Sequence, residues 1–185
     1  MQRHNIIFNL FWVTAASTLW LAGCHSSATE LNTQQKNKEE VIFFDDFSNS
    51  ILDRTKWNVE VTGMHVNNEL QAYVDSSSTI SFANGKDAEG AQNGALVLKP
   101  VFSPDFRTTD GQKFDFISGR INTKSKAEFT SGTISARIKL TKGAGLWPAW
   151  WLLGNGNWPE TGEIDIMEYV GETDWVSSAV HGKGY

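Results

Sequence analysis

The chain has 185 residues, room for one domain with a sizeable core, and its 16 basic and 21 acidic residues give a net charge of -5. With that balance and no basic cluster, nucleic acid is excluded as a partner. A single cysteine, Cys24, leaves the body without disulfides or thiolate metal sites, and four scattered histidines lack metal-ligand spacing. Six of the eight tryptophans lie beyond residue 50. Indoles in excess of packing needs mark a binding surface, because each offers a flat apolar face with one donor at its edge.

Residues 1–23 read as a targeting segment. Arg3 and His4 precede an apolar run over residues 6–21 that is too short and too polar for a membrane span. The run ends in Leu21-Ala22-Gly23-Cys24, which resembles the lipobox of bacterial lipoproteins. That resemblance implies that Cys24 becomes the lipidated first residue of the mature protein, tethered stably to the membrane by several acyl chains. His25 after the cysteine, where Asp would imply the inner membrane, implies the outer membrane of a bacterial cell envelope. Residues 24–40 are polar, with Leu31 the one large apolar residue, and read as a flexible tether. The folded body, residues 41–185, is expected to begin at Val41.

Residues 41–44, followed by Asp45-Asp46-Phe47, predict a first strand entering a turn. Trp57, Val59 and Val61 alternate with Asn58 and Glu60; Leu70, Ala72 and Val74 alternate with Gln71 and Tyr73. Residues 84–94 read as a loop whose Asn93-Gly94 turn leads into a strand at 96–98. Another strand is expected over 117–123. The clearest alternation sets Ile134, Ala136, Ile138 and Leu140 against Ser135, Arg137 and Lys139. No glycine-free run of ten residues keeps a helical period, so the chain is expected to be all-β, an antiparallel β-sandwich.

Residues 143–154 are dominated by apolar side chains, of which Trp150, Leu152 and Leu153 read as core. Trp151 falls on the strand face opposite Trp150, and Trp147 precedes Pro148 at a turn. Sugar rings present C–H surfaces that stack on exposed aromatics. Trp147, Trp151 and Trp158 are therefore candidates for a sugar platform, with a core role as the alternative for each.

Residues 163–168 bring Glu163, Asp165 and Glu168 together between apolar neighbours. Glycines at 162 and 171 leave room for little more than eight residues, and Ile164, Ile166, Tyr169 and Val170 favour strand over helix. On a regular strand Glu163 and Asp165 share one face while Glu168 falls on the apolar one, where a charge is costly. A β-bulge near Ile166-Met167 is expected, because one extra residue returns Glu168 to its partners.

Glu163-Ile-Asp-Ile-Met-Glu168 resembles the E-x-D-x-x-E signature of glycoside hydrolase family 16, in the bulged form found in bacterial endo-β-1,3-glucanases (laminarinases). Further blocks match in order: Asn67-Asn-Glu-Leu-Gln-Ala-Tyr73, Ser118-Gly-Arg-Ile-Asn-Thr123, Ala136-Arg-Ile-Lys-Leu140, the 145–154 stretch and His181-Gly182. The resemblance implies a β-jelly roll. The family domain continues for several strands beyond the position of Tyr185, so a jelly roll lacking its C-terminal strands is expected. Met64-His65-Val66 stands where the family often has a Gly-Trp-Gly-like segment.

The same resemblance implies Glu163 as nucleophile and Glu168 as general acid/base of a retaining, double-displacement hydrolysis, with Asp165 between them. It carries Asn68 and Arg137 over as sugar-hydroxyl contacts, Asn67 being the alternative to Asn68. His181 stands between two readings, a lining of the leaving-group side and a structural histidine. The expected activity is endo-hydrolysis of β-1,3-glucan by a monomer. Mixed-linkage glucan, agarose or carrageenan are alternative substrates, and a non-catalytic β-glucan-binding protein is the alternative class. The chemistry requires no cofactor; a structural calcium occurs in some relatives, no EF-hand loop is present here, and metal binding stays open.

Overall fold

The computed structural model describes residues 40–184 other than 65, 85–87, 89, 92, 172 and 173. The targeting segment, Cys24, most of the tether and His65 lie outside the described residues. Among the described residues of the unit Asp46–Tyr185 ten strands follow one another: β1 (Asn58–Val59), β2 (Gln71–Tyr73), β3 (Ile80–Ala83), β4 (Ala95–Leu98), β5 (Val101–Arg107), β6 (Lys113–Ser118), β7 (Ile121–Asn122), β8 (Ala149–Leu153), β9 (Glu163–Glu168) and β10 (Ser177–His181). They form four small sheets, in the orders β1-β7, β10-β9-β8, β2-β6-β5 and β3-β4. All pairings are antiparallel except β2 with β6. No α-helix occurs among the described residues.

Local sequence explains the pieces. The β5–β6 hairpin closes through Thr108, whose N–H donates to the Gln112 carbonyl at 3.0 Å. Pro104 removes a ladder donor from β5, and it sits on an edge strand where the register shifts between Phe102 and Phe106. Ala72, Phe114 and Ile117 are buried on β2 and β6, and Tyr169 is buried just past the end of β9.

Several expected strands are shorter or absent. Residues 41–44 form no strand, and Val41 and Ile42 are exposed. Residues 134–140 form none either, although their alternation is the clearest in the chain. No described strand pairs with them, and alternation without a neighbouring ladder leaves backbone donors and acceptors to water. The 117–123 strand is divided at Gly119-Arg120, where Gly119 lies so close to Thr79 that a Cβ would stand 2.7 Å from its carbonyl oxygen. Leu70, expected to be buried with Ala72, is exposed beside a turn. Three strands went unanticipated, β3, β5 and β10, along with residues 113–116 of β6; β3 and β5 are interrupted by Ser or Pro.

Candidate active site

β9 lies between β8 and β10, so both its edges are fixed by ladders. Against β10, Ser177 pairs with Glu168 and Ala179 with Asp165: two steps on β10 span three on β9. Against β8, Trp150 pairs with Met167 and Trp151 with Asp165, so one step spans two. Both ladders thus record one extra β9 residue at Ile166-Met167. The expected bulge is present, and it brings Glu163, Asp165 and Glu168 to one face. Trp151 on β8 and Ser177, Ala179 and His181 on β10 pair with those carboxylates and share that face.

Each carboxylate has a specific partner. Asp165 is 3% exposed and hydrogen-bonds through Oδ2 with His181 Nε2 at 2.9 Å. The Trp147 indole N–H donates to Glu168 Oε1 at 2.8 Å. Trp158 hydrogen-bonds the Glu163 carboxylate. Burial, then the charge of Asp165 and a hydrogen bond with it, push the Glu163 carboxyl above its ordinary range; His181 and Trp158 pull it back in part. The donor atoms of Glu163, Asp165 and His181 lie within 4.8 Å of one another, the one group among the described residues with metal-ligand spacing. The His181–Asp165 and Glu163–Asp165 hydrogen bonds already account for that closeness.

The loop that carries Trp158 is folded by its own backbone. Gly154 N–H donates to the Gly162 carbonyl at 2.9 Å and Thr161 N–H to Asn157 at 3.1 Å. Gly154 has no substitute there, since a Cβ would stand 1.9 Å from the Thr161 carbonyl oxygen. Trp158 and Trp147 are both exposed. An indole therefore flanks each glutamate, one on either side of the buried Asp165.

The third candidate aromatic, Trp151, anchors a polar array. The Arg120 guanidinium lies 4.7 Å from the Trp151 ring and 5.4 Å from Tyr73. Its Nε pairs with Glu60 at 3.1 Å, and Asn122 donates to the same carboxylate at 3.3 Å. Tyr73 and Gln71 both donate to Glu69 Oε2. A cation held between two aromatic faces is ordered by both. Sequence reasoning named none of Arg120, Glu60 or Glu69 as site residues. The available signal was the common parity of Arg120 and Asn122 in a block already matched to a family.

Other expectations are not met. Asn67 and Asn68 both have positive φ (52° and 59°) in a turn closed by the Glu69 N–H to Val66 carbonyl bond at 2.9 Å. Their side-chain type suits that backbone, and Asn68 is exposed with no described contact to the carboxylates. Arg137 hydrogen-bonds the Gly90 carbonyl on the 84–94 loop, with no described contact to the carboxylates. Leu153, expected in the core, pairs with Glu163 and is exposed. On the opposite face of β9, Ile164 is 48% exposed, so that face is not enclosed among the described residues.

Comparison with known proteins gives concordant matches. A family model described as the XgeA-like, catalytic GH16 domain matches residues 70–184. Glucan endo-1,3-beta-glucosidase A1 of Niallia circulans is 35% identical over 159 residues, which cover 78% of this chain and 22% of that protein. The beta-glucanase of Rhodothermus marinus is 33% identical over 174 residues, covering 89% of this chain and 56% of its own length. In three dimensions the chain is similar to the catalytic domain of an endo-1,3-beta-glucanase (laminarinase) from Thermotoga petrophila RKU-1. That match has a TM-score of 0.66 and 33% identity, covering 79% of this chain and 57% of that one. The chain thus spans from about a fifth to just over half of these relatives.

Proposed function

This chain belongs to glycoside hydrolase family 16, in its XgeA-like catalytic group, and we propose that the protein is an endo-acting, retaining β-glycosidase that hydrolyses β-1,3-linked glucan. The observation that carries the proposal is the β9 bulge. It gathers Glu163, Asp165 and Glu168 on one face, with an exposed indole on each glutamate. Relatives named as endo-1,3-beta-glucanases, 33–35% identical, support the β-1,3 linkage, while other relatives are named for mixed-linkage glucan or for a galactan.

In the proposed reaction the Glu163 carboxylate attacks the anomeric carbon while Glu168 protonates the departing glycosidic oxygen. Glu168 then takes a proton from the water that releases the sugar from Glu163. Asp165, held by His181, fixes Glu163 by hydrogen bonding. Trp147 orients Glu168 at the leaving oxygen. All three carboxylates come from one strand, so the reaction needs no second copy of the chain. A purely glucan-binding protein would use the indoles but has no need of a bulge that aligns carboxylates.

Glu163→Ala is expected to abolish laminarin hydrolysis while glucan binding persists; undiminished hydrolysis in this variant refutes the assignment. The proposal also includes attachment to a bacterial outer membrane through lipid on Cys24, supported by the Leu21-Ala22-Gly23-Cys24 sequence.

A further inference from the structure

Three of the small sheets meet at one guanidinium. Arg120 stands between β6 and β7, and its carbonyl accepts the Glu60 N–H at 2.9 Å. Its side chain reaches Trp151 on β8 and Tyr73 on β2 at once, with ring centroids at 4.7 and 5.4 Å. No strand pairing among the described residues joins the β1-β7 sheet or the β2-β6-β5 sheet to β8. The cation–π contact with Trp151 therefore links the carboxylate sheet to both of them.

The guanidinium is itself held. Its Nε lies 3.1 Å from Glu60 Oε2, and the two side chains are only 27% and 32% exposed. Asn122 donates to the same Glu60 oxygen at 3.3 Å, and its own side-chain oxygen accepts from Asn58 at 3.1 Å. A long side chain loses rotamer entropy when it is fixed, and this chain of hydrogen bonds beside β1 and β7 has already fixed it.

Three indoles serve the carboxylate face, and each answers to a different charged group. Trp147 hydrogen-bonds Glu168, and Trp158 hydrogen-bonds Glu163. Among the described contacts Trp151 has no such bond, and its ring lies against Arg120 instead. The cation takes one face of that indole, which leaves the other for a sugar ring.

From this arrangement we infer that Arg120, locked by Glu60, is a positioning residue that sets the Trp151 indole beside Asp165 as a platform for glucan. The inference rests on the hydrolase reading for the identity of its ligand. Arg120 acts through Trp151 and not on the sugar, so its loss weakens glucan binding only while Trp151 is present.

The test measures laminarihexaose dissociation constants by calorimetry in the Glu163→Gln background, which separates binding from turnover. Trp151→Leu and Arg120→Met, an apolar side chain of similar length, are each expected to weaken binding about five-fold. The double variant is expected to bind no worse than Trp151→Leu alone, since the two residues act as one unit. Arg120→Lys, which keeps a cation over the ring, is expected to restore most of the loss. With Glu163 present, Arg120→Met should raise laminarin KM by the same factor and change kcat less than about two-fold. A double variant weakened by the product of the two single losses overturns the inference, because Arg120 then acts apart from Trp151. An unchanged constant in Arg120→Met overturns it too. Where Arg120→Met does not fold, Glu60→Gln releases the guanidinium with every ring in place. A weakening there that vanishes beside Trp151→Leu supports the clamp, and no weakening overturns it. Binding in the expected pattern by a wild type that leaves laminarin uncleaved keeps the clamp and refutes the hydrolase reading. Cleavage of laminarin with unchanged binding in the Arg120 variants does the reverse.

Discussion

Glu163 carries the most direct consequence at the scale of single residues. Its carboxyl is held above the ordinary carboxylate range by burial and by Asp165. A nucleophile must be ionised, so the acid limb of the kcat/KM profile is expected above about pH 4.3, the usual glutamate value. Asp165→Asn removes a charge that raises the Glu163 pKa and is expected to move that limb down in pH. Trp158→Phe removes a hydrogen bond that lowers it and is expected to move the limb up. Opposite or absent displacements in a pH–rate series would contradict the proposed nucleophile. Trp147→Phe keeps the ring but loses the donor to Glu168. A single hydrogen bond at an exposed position is worth about 1 kcal/mol, so kcat should fall about five-fold with laminarin KM little changed.

At the scale of elements, the bulge can be tested by changing its length. Removing Met167 leaves two steps between Asp165 and Glu168, matching the two between Ala179 and Ser177. The strand becomes regular and Glu168 stays on the carboxylate face, so measurable hydrolysis is expected to survive. Inserting one alanine between Ile166 and Met167 puts four steps between Asp165 and Glu168, an even number that keeps the face in a regular strand but carries Glu168 about 7 Å further along it, and activity should fall to that of Glu168→Ala. Laminarin product release measured on both variants separates a spacing requirement from a facing one. The bulge is legible in the six residues themselves, because three carboxylates at these positions and a period of two cannot otherwise share a face. The strand expected at 134–140 was not a safe reading, because alternation specifies a face and not a partner. The array around Arg120 was equally hidden: Arg120, Glu60 and Glu69 come from three separate stretches, joined only when β1, β2 and β7 assemble.

At the scale of the molecule, the same proton linkage predicts a stability effect. A carboxyl whose folded pKa is raised stabilises the fold fully below its unfolded pKa, and that contribution is lost as pH rises through the folded value. Glu163→Gln is neutral at every pH, so its Tm should exceed the wild-type Tm near neutrality. The difference should close below about pH 4. Thermal melts across that range would expose an opposite trend. The all-β class was legible from turn spacing and the missing helical period, and the carboxylate face from one six-residue block. Asn68 and Arg137, carried over by block position alone, lie in a turn and against the Gly90 carbonyl. The protein is best tested by ¹H NMR of laminarin digestion, following the anomeric configuration of the first reducing ends formed before mutarotation. Retaining chemistry by Glu163 and Glu168 predicts β-anomers from the wild type and, from Glu163→Gln, a rate at least about 10³-fold lower. Initial α-anomers, or undiminished cleavage by Glu163→Gln, would contradict it.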